Sequence, residues 1–136
     1  MRAPRILIVD DNIMNIMIAR DVLLAENFEV ESASDGFEAM RKVTSFRPDL
    51  ILMDIQMPGK DGLEVTRAVK ADPNTRDIRI IAFTAFAMRG DEAKMRTAGC
   101  DGYLSKPIDV LKFGAQVRDY LQGAVGDGPG APGLPD

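Results

Sequence analysis

The sequence lacks histidine and tryptophan, and it contains a single cysteine, Cys100. Without histidine, the usual zinc sites and the Ser–His and Cys–His catalytic arrangements are excluded or improbable. A lone cysteine cannot form a disulfide within the chain. Aromatic residues make up 6% of the chain, and this low content argues against a surface on which nucleic-acid bases stack. Oxygen-bearing side chains therefore remain as the candidates for metal binding.

Long apolar runs and an excess of basic residues are missing as well. The apolar runs are four or five residues long, too short to span a membrane, and the one after Met1 to Arg5 is too short for a signal peptide. We therefore expect a cytoplasmic protein with no membrane partner. The net charge of −4 disfavours nonspecific nucleic-acid binding, because phosphate recognition requires a basic face. We expect no direct contact with nucleic acid.

The chain does contain a repeated alternation of short apolar strands and helical segments. Its 136 residues are enough for one domain with a core and too few for two. Five strand–helix units predict an α/β fold with a doubly wound five-stranded parallel sheet, right-handed crossovers and helices on both faces. The flavodoxin-like order 2-1-3-4-5 fits five strands best. The predicted strands are Ile6–Val9, Phe28–Ala33, Leu50–Met53, Ile78–Phe83 and Tyr103–Ser105.

The helices are predicted from apolar spacing and from their end signals. The first follows an Asp or Asn that can serve as N-cap, and the fourth stops at Gly99, which suits a left-handed cap. Residues 123–136 are almost wholly Gly, Pro, Ala and Asp, so we expect a folded domain at 1–122 and a flexible tail. The helical segments carry Met14, Ile18, Val22 and Ala25; Ser34 to about Phe46; Leu63, Val65, Ala68 and Val69; roughly Met88 to Ala98; and Val110, Phe113, Gly114, Val117 and Leu121.

Two of the predicted strands end directly on acids. The first runs into Asp10 and Asp11, and the third runs into Asp54. Strands one and three are neighbours in the predicted order, so these acids converge at the carboxyl edge of the sheet, where such sheets place their chemistry. Three carboxylates about 5 Å apart repel each other by about 3 kcal/mol per pair at an effective dielectric near 20, so the cluster requires a cation. Hard oxygen ligands favour Mg²⁺.

Such a site can form an aspartyl phosphate, a covalent intermediate made when a carboxylate attacks a phosphoryl group. We choose Asp54 as the nucleophile, because it is a lone acid at the end of a central buried strand. Such a strand directs the carboxylate into the site. Lys106, after the fifth strand, supplies further positive charge, and Thr84, after the fourth, offers a hydroxyl to the product phosphate. No general base is required, because the carboxylate is already ionised.

Five motifs resemble, in spacing and order, the receiver domain of two-component response regulators. The likeness covers about Arg5 to Gln122. It implies that Asp54 accepts a phosphoryl group from a histidine kinase or a phosphotransfer protein, and that the chain is a signalling protein rather than an enzyme. The motifs are Asp10-Asp11-Asn12, Asp54 with Met57-Pro58, Asp61-Gly62, Thr84-Ala85 and Lys106-Pro107-Ile108.

The resemblance also implies roles for individual residues. Asp11, Asp54 and the backbone carbonyl of Gln56 would bind Mg²⁺, with Asp10 helping through water. Thr84 and Tyr103 match the switch pair of the family. Thr84 would move toward the phosphate and Tyr103 would turn inward, so that the surface of the fourth helix, fifth strand and fifth helix changes shape.

Other details of the sequence are similar to DivK-type single-domain regulators and to receivers attached to hybrid histidine kinases. The implied mode of action is contact with a downstream protein target. The Lys106-Pro107 bond matches one that is usually cis in the family. Gln56 and Phe86 lie where side chains can position or shield the hydrolytic water. Because Phe86 cannot hydrogen-bond water, we expect slow self-dephosphorylation.

Four alternatives are weaker or remain open. A haloacid-dehalogenase-type phosphatase would require a second acid at Gln56 and a longer chain. A flavodoxin-like FMN carrier would require a phosphate-cradling loop where Asp10 and Asp11 instead repel phosphate. A degenerate receiver that is never phosphorylated, and a receiver detached from a hybrid histidine kinase, both stay open.

Overall fold

The structure, a computed structural model, describes residues 3–55, 62–84, 89–106 and 108–122. Strands and helices alternate along the chain, and each predicted strand is present with bounds that differ by at most one residue at either end. The elements are β1 (Arg5–Val9), α1 (Ile13–Ala25), β2 (Glu29–Ala33), α2 (Gly36–Ser45), β3 (Leu50–Met53), α3 (Gly62–Ala71), β4 (Arg79–Thr84), α4 (Arg89–Ala98), β5 (Gly102–Ser105) and α5 (Phe113–Leu121).

The five strands form one parallel sheet in the order β2-β1-β3-β4-β5, which confirms the predicted topology. The register pairs Val9 of β1 with Met53 of β3. The next residue of each strand is an acid, so the pairing brings Asp10 and Asp54 side by side at the carboxyl edge. The strand order reverses direction at β1 and β3, which is where sheets of this class bind ligands.

Two hydrophobic clusters cover the two faces of the sheet. Successive strand residues point to opposite faces, so β1 contributes Leu7 and Val9 to one cluster and Ile6 and Ile8 to the other. The first cluster packs against α2, α3 and α4, and the second packs against α1 and α5. The helices therefore lie on both faces, as predicted. Among the described helices, none has the length and apolar character that a transmembrane span requires.

The buried face of α1 differs from the residues whose spacing predicted the helix. Ile16, Ala19 and Leu23 pack into the core, whereas Met14 is 59% exposed and Ile18 is 40% exposed. Apolar residues surround the first turns of α1 on every side. Periodicity therefore indicates a helix here but cannot indicate which face is buried.

The prediction that Val110 lies on the apolar face of the last helix was wrong. α5 begins at Phe113, and Val110 precedes it in a turn where the Asp109 carboxylate accepts the Leu111 N–H at 3.0 Å. A short acidic side chain that bonds the backbone two residues on favours a turn over a helix. Val110 is 57% exposed, and Tyr120 joins the core from α5 instead.

Local signals fix the helix ends as predicted. The Asn12 side chain accepts the N–H groups of Met14 and Asn15, and so caps α1. At the end of α4, Gly99 has a φ of +108°, and its N–H donates to the Arg96 carbonyl. The next N–H, from Cys100, donates to the Met95 carbonyl. These two bonds are the Schellman pattern that a left-handed glycine permits.

Candidate metal centre

Backbone hydrogen bonds beyond the strand ends hold the two buried acids in place. The Asp54 N–H donates to the Val9 carbonyl at 2.8 Å, and the Asp10 N–H donates to the Ala33 carbonyl at 3.0 Å. Each acid thereby continues the ladder of its strand by one residue. Asp10 and Asp54 are both buried, while Asp11 is exposed. A cation at this edge would meet two fixed carboxylates and one that water reaches.

The three predicted acids lie together. One carboxylate oxygen from each of Asp10, Asp11 and Asp54 lies within 4.8 Å of the others. Carboxylate oxygens at this spacing repel one another strongly in a partly buried site, and they are the ligands that Mg²⁺ and Ca²⁺ take in proteins. The residues present therefore fit a hard divalent cation.

Lys106 joins the cluster from the segment after β5. Its Nζ lies 2.8 Å from Asp10 Oδ2 and 3.4 Å from Asp54 Oδ2, and its side chain is 14% exposed. Three ionised carboxylates and one ammonium carry a charge of about −2. A single divalent cation neutralises that charge.

The period of two in β-structure explains why these side chains meet on one side of the sheet. Asp10, Asp54 and Lys106 each lie two residues after a side chain that packs beneath α1 and α5. Those core side chains are Ile8, Leu52 and Leu104. The charged cluster thus continues the core layer of α1 and α5 out to the carboxyl edge.

Asn15 belongs to this environment, and the sequence analysis did not identify it. Its Nδ2 donates to Asp10 Oδ2 at 3.4 Å, while the Asn12 N–H donates to Asp10 Oδ1 at 2.9 Å. Since Asn12 caps α1, Asn15 stands at the third helical position, where a side chain reaches back over the helix start. The spacing between the cap and Asn15 was the signal that could have revealed it. The two donors and Lys106 hold both oxygens of Asp10.

Gly62 allows the start of α3 to approach Asp54. A Cβ built on Gly62 would lie 2.2 Å from the backbone oxygen of Asp54 and 2.8 Å from the Cα of Ile55. Contacts this short with backbone atoms cannot relax without moving the chain. A glycine at this position is therefore a requirement of the site's geometry.

Comparison with known proteins identifies the family of this chain. The family model of the response regulator receiver domain matches residues 6–118. The chain belongs to this family. Receiver domains are signalling domains that generally bind Mg²⁺. This chain has an acid cluster whose ligands fit such a cation.

Curated relatives and solved structures give the same assignment. The chain is 47% identical to the polar-differentiation response regulator DivK of Brucella anthropi and 46% identical to that of Brucella ovis, each over 85% of this chain and 94% of the relative. The structure of the chemotaxis protein CheY4 of Vibrio cholerae has a TM-score of 0.81 at 28% identity, covering 85% of this chain and 97% of that one. The structure of a CheY-like receiver domain protein of Methanospirillum hungatei has a TM-score of 0.82 at 26% identity, covering 89% of this chain and 95% of that one.

Several predicted residues of the receiver domain lie outside the described ranges. Of Thr84 the backbone is described, and it pairs with Ser105 between β4 and β5. Tyr103 is half-buried on β5, where its carbonyl accepts the Tyr120 hydroxyl at 3.4 Å. The switch roles of Thr84 and Tyr103 stay predictions. The residues outside the ranges are Gln56, Met57, Pro58, Asp61, Ala85, Phe86, Pro107, the predicted helix start at Met88, and 123–136.

Proposed function

We propose that this receiver domain is a cytoplasmic single-domain response regulator in which Asp54 accepts a phosphoryl group from a histidine kinase or a histidine phosphotransfer protein. The observation that carries the proposal is the cluster of three carboxylates with the Lys106 ammonium between two of them. Within the described residues, no other cluster of three or more acids or thiols has this geometry. Tests of the proposal therefore start at Asp54.

Asp11, Asp54 and the Gln56 carbonyl would hold Mg²⁺, with Asp10 contributing through water. When bound, the cation supplies positive charge to the oxygens of the transferring phosphoryl group. A carboxylate oxygen of Asp54 attacks the phosphorus while the bond to the donor histidine nitrogen breaks. The donor imidazole keeps the electron pair of that bond. Lys106 stabilises the negative charge at the transferring group, since its ammonium already lies 3.4 Å from Asp54.

An apolar surface beside the acids supports a protein as the phosphoryl donor. Ile13, Met14, Met17 and Ile18 of α1 are all exposed, and α1 starts immediately after the Asp10–Asn12 segment. Leu111, in the turn before α5, is 91% exposed. Clustered exposed apolar side chains are typical of protein-binding surfaces. We propose that the donor protein packs on the α1 surface, defined here as these four α1 residues, and presents its phosphohistidine to Asp54.

Phosphorylation would act on a downstream protein through the surface of α4, β5 and α5. Thr84 and Tyr103 lie on neighbouring strands, because Ala82 pairs with Tyr103 and Thr84 pairs with Ser105. A conformational change at the end of β4 can therefore reach β5 directly. The DivK relatives are matched over 94% of their length and are named for polar differentiation. We propose that this chain, like a DivK-type regulator, acts in a phosphorelay.

Incubation with Mg²⁺ and acetyl phosphate, followed by intact-mass measurement, tests the proposal. We expect a gain of about 80 Da, the mass of one phosphoryl group, on the wild type. Asp54→Asn should show no gain, and Asp21→Asn, an exposed acid on α1, serves as the matched control and should behave as the wild type. Chelation of Mg²⁺ should abolish the gain. A wild type without the gain would contradict the proposal and support a degenerate receiver.

A further inference from the structure

The Lys106 ammonium has a third neighbour besides the two acids. Its Nζ lies 5.1 Å from the centroid of the Phe83 ring, within the distance at which a cation is attracted to an aromatic face. Phe83 is fully buried in β4 and directly precedes Thr84. We propose that Phe83 is a positioning residue for Lys106, holding the ammonium at Asp54. This inference rests on the proposed function, because it assigns Phe83 a part in phosphorylation of Asp54.

The strand register explains why Phe83 and Lys106 meet. Phe83 pairs with Leu104 across β4 and β5, and both side chains belong to the core cluster beneath α1 and α5. Lys106 follows Leu104 by two residues, and so continues on the same side of the sheet. The register therefore places the Lys106 ammonium over the Phe83 ring as well as beside Asp10 and Asp54.

The Phe83 ring is fixed by its burial in the core, where it lies beside one further aromatic side chain. Phe113, the first residue of α5, lies with its ring centroid 5.9 Å from that of Phe83 at an interplanar angle of 34°. Both rings are buried. A fixed ring face can orient the lysine without reorganising when the charge at Asp54 changes.

The ring also complements the two acids chemically. Asp10 and Asp54 attract the ammonium as ion-pair partners, whereas the ring attracts the charge through its aromatic face. Lys106 is largely withdrawn from water, which strengthens such an attraction. The ring thus adds an attraction that keeps the ammonium near the acids without competing for their oxygens.

Phe83→Leu and Phe113→Leu form a matched pair for testing this role. Each removes one ring from the same aromatic contact in the same core cluster, but of these two rings it is Phe83 that lies under the Lys106 ammonium. With acetyl phosphate and saturating Mg²⁺, we expect Phe83→Leu to slow phosphorylation of Asp54 by about three- to tenfold. Phe113→Leu should stay within about twofold of the wild type. Equal slowing in the two variants would overturn the proposal, since it would indicate general loosening of the core.

A double-mutant cycle separates a role through Lys106 from a structural one. In a Lys106→Met background, Phe83→Leu should change the residual rate of Asp54 phosphorylation by less than about twofold, because the ammonium that the ring positions is gone. An effect as large as in the wild-type background would overturn the proposal.

Proton NMR of the Lys106 side chain gives a readout that requires no phosphorylation. The ε-methylene protons should be shifted upfield by the Phe83 ring in the wild type and in Phe113→Leu, and the shift should disappear in Phe83→Leu. No upfield shift in the wild type would overturn the proposed contact. If the wild type fails to accept a phosphoryl group but shows the shift, the proposed function fails while the placement of Lys106 by Phe83 stands.

Discussion

At the scale of single residues, Lys106 sets the charge of the acid cluster. Its ammonium is the basic group that contacts both Asp10 and Asp54, and it reduces a charge of about −3 to about −2. Two consequences follow from removing it. A divalent cation is attracted more strongly, and a transferring phosphoryl group loses one stabilising charge.

Lys106→Met should therefore bind Mg²⁺ severalfold more tightly and accept a phosphoryl group about 100-fold more slowly than the wild type. Calorimetric Mg²⁺ titration and the rate of mass gain with acetyl phosphate measure the two effects. Lys70→Met is the matched control, because Lys70 is a comparably buried lysine that pairs with Asp101 at 2.8 Å, away from the site. Should both variants bind Mg²⁺ as the wild type does, Lys106 would not belong to the metal environment.

We predict that Phe86 lengthens the lifetime of an aspartyl phosphate at Asp54. The prediction rests on its position two residues after Thr84, and Phe86 lies outside the described ranges. Since a phenyl ring cannot hydrogen-bond a hydrolytic water, Phe86→Glu should shorten the phosphoryl half-life. Loss of the phosphorylated mass over time, after the donor is removed, measures this. A half-life that is unchanged or longer would refute the assignment.

Cys100 is the single thiol of the chain, and burial raises its pKa from 9.0 to about 11, while a hydrogen bond with Thr66 acts in the opposite direction. Because the folded pKa exceeds the unfolded one, the thiol's contribution to stability is complete below pH 9 and is lost as pH rises toward 11. Burial likewise raises the pKa of Tyr120 to about 12. Its contribution is lost between pH 10 and 12.

The free energy of unfolding should accordingly fall between pH 9 and 11 by about 2 kcal/mol more in the wild type than in Cys100→Ala. Urea unfolding at a series of pH values measures the difference, and Cys100 should react slowly with a disulfide reagent at pH 8. Parallel curves for the two proteins would show that the thiol ionises equally in the folded and unfolded states.

At the scale of secondary-structure elements, we propose two roles for α1. Its N-cap Asn12 and the first-turn residue Asn15 contact Asp10, and its outer side carries the α1 surface. Ile16, Ala19 and Leu23 anchor the helix to the sheet. Exposed apolar side chains are therefore not required for packing of α1, and they are available to a donor protein.

Met17→Lys should slow phosphoryl transfer from a protein donor at least about tenfold, because burying a charge in an apolar interface is costly. Transfer from acetyl phosphate should be unchanged. The donors are the histidine kinases of the source organism, autophosphorylated with ATP and tested one at a time. Phe37→Lys on α2 is the matched control, since Phe37 is equally an exposed apolar residue. Equal transfer to wild type and Met17→Lys from every active donor would exclude the α1 surface as the docking site.

The same element shows where sequence reasoning reached its limit. Alternation and short apolar runs predicted the strands within one residue, because strands buried on both faces, such as β1 and β3, leave continuous apolar runs and the edge strand β2 leaves an alternating pattern. The apolar residues of α1 surround the helix, so their spacing predicted a helix but not the buried face. Val110 shares a helical spacing with Phe113, Gly114, Val117 and Leu121, and so predicts one helix face, whereas the Asp109 turn determines where α5 begins.

At the scale of the whole molecule, topology is what made the site predictable. Once the strand order was assigned, the acids after β1 and β3 had to be neighbours, and the structure brings them together. The contact of Phe83 depends instead on how its ring packs against Lys106, and no sequence motif carries that information. The spacing of Asn15 from the Asn12 cap is a sequence signal, but a weaker one than a strand that ends on an acid. Strand ends could therefore be predicted from the sequence, whereas the packing of Phe83 against Lys106 could not.

We expect the acid cluster to allow Asp54 to take up a phosphoryl group with the help of a divalent cation. The most direct measurement is borohydride reduction after incubation with Mg²⁺ and acetyl phosphate, followed by peptide sequencing, because reduction converts an aspartyl phosphate into homoserine. We expect homoserine at position 54, and none when Mg²⁺ is chelated. Homoserine at another acid, or the absence of homoserine from the Mg²⁺-containing sample, would contradict this expectation.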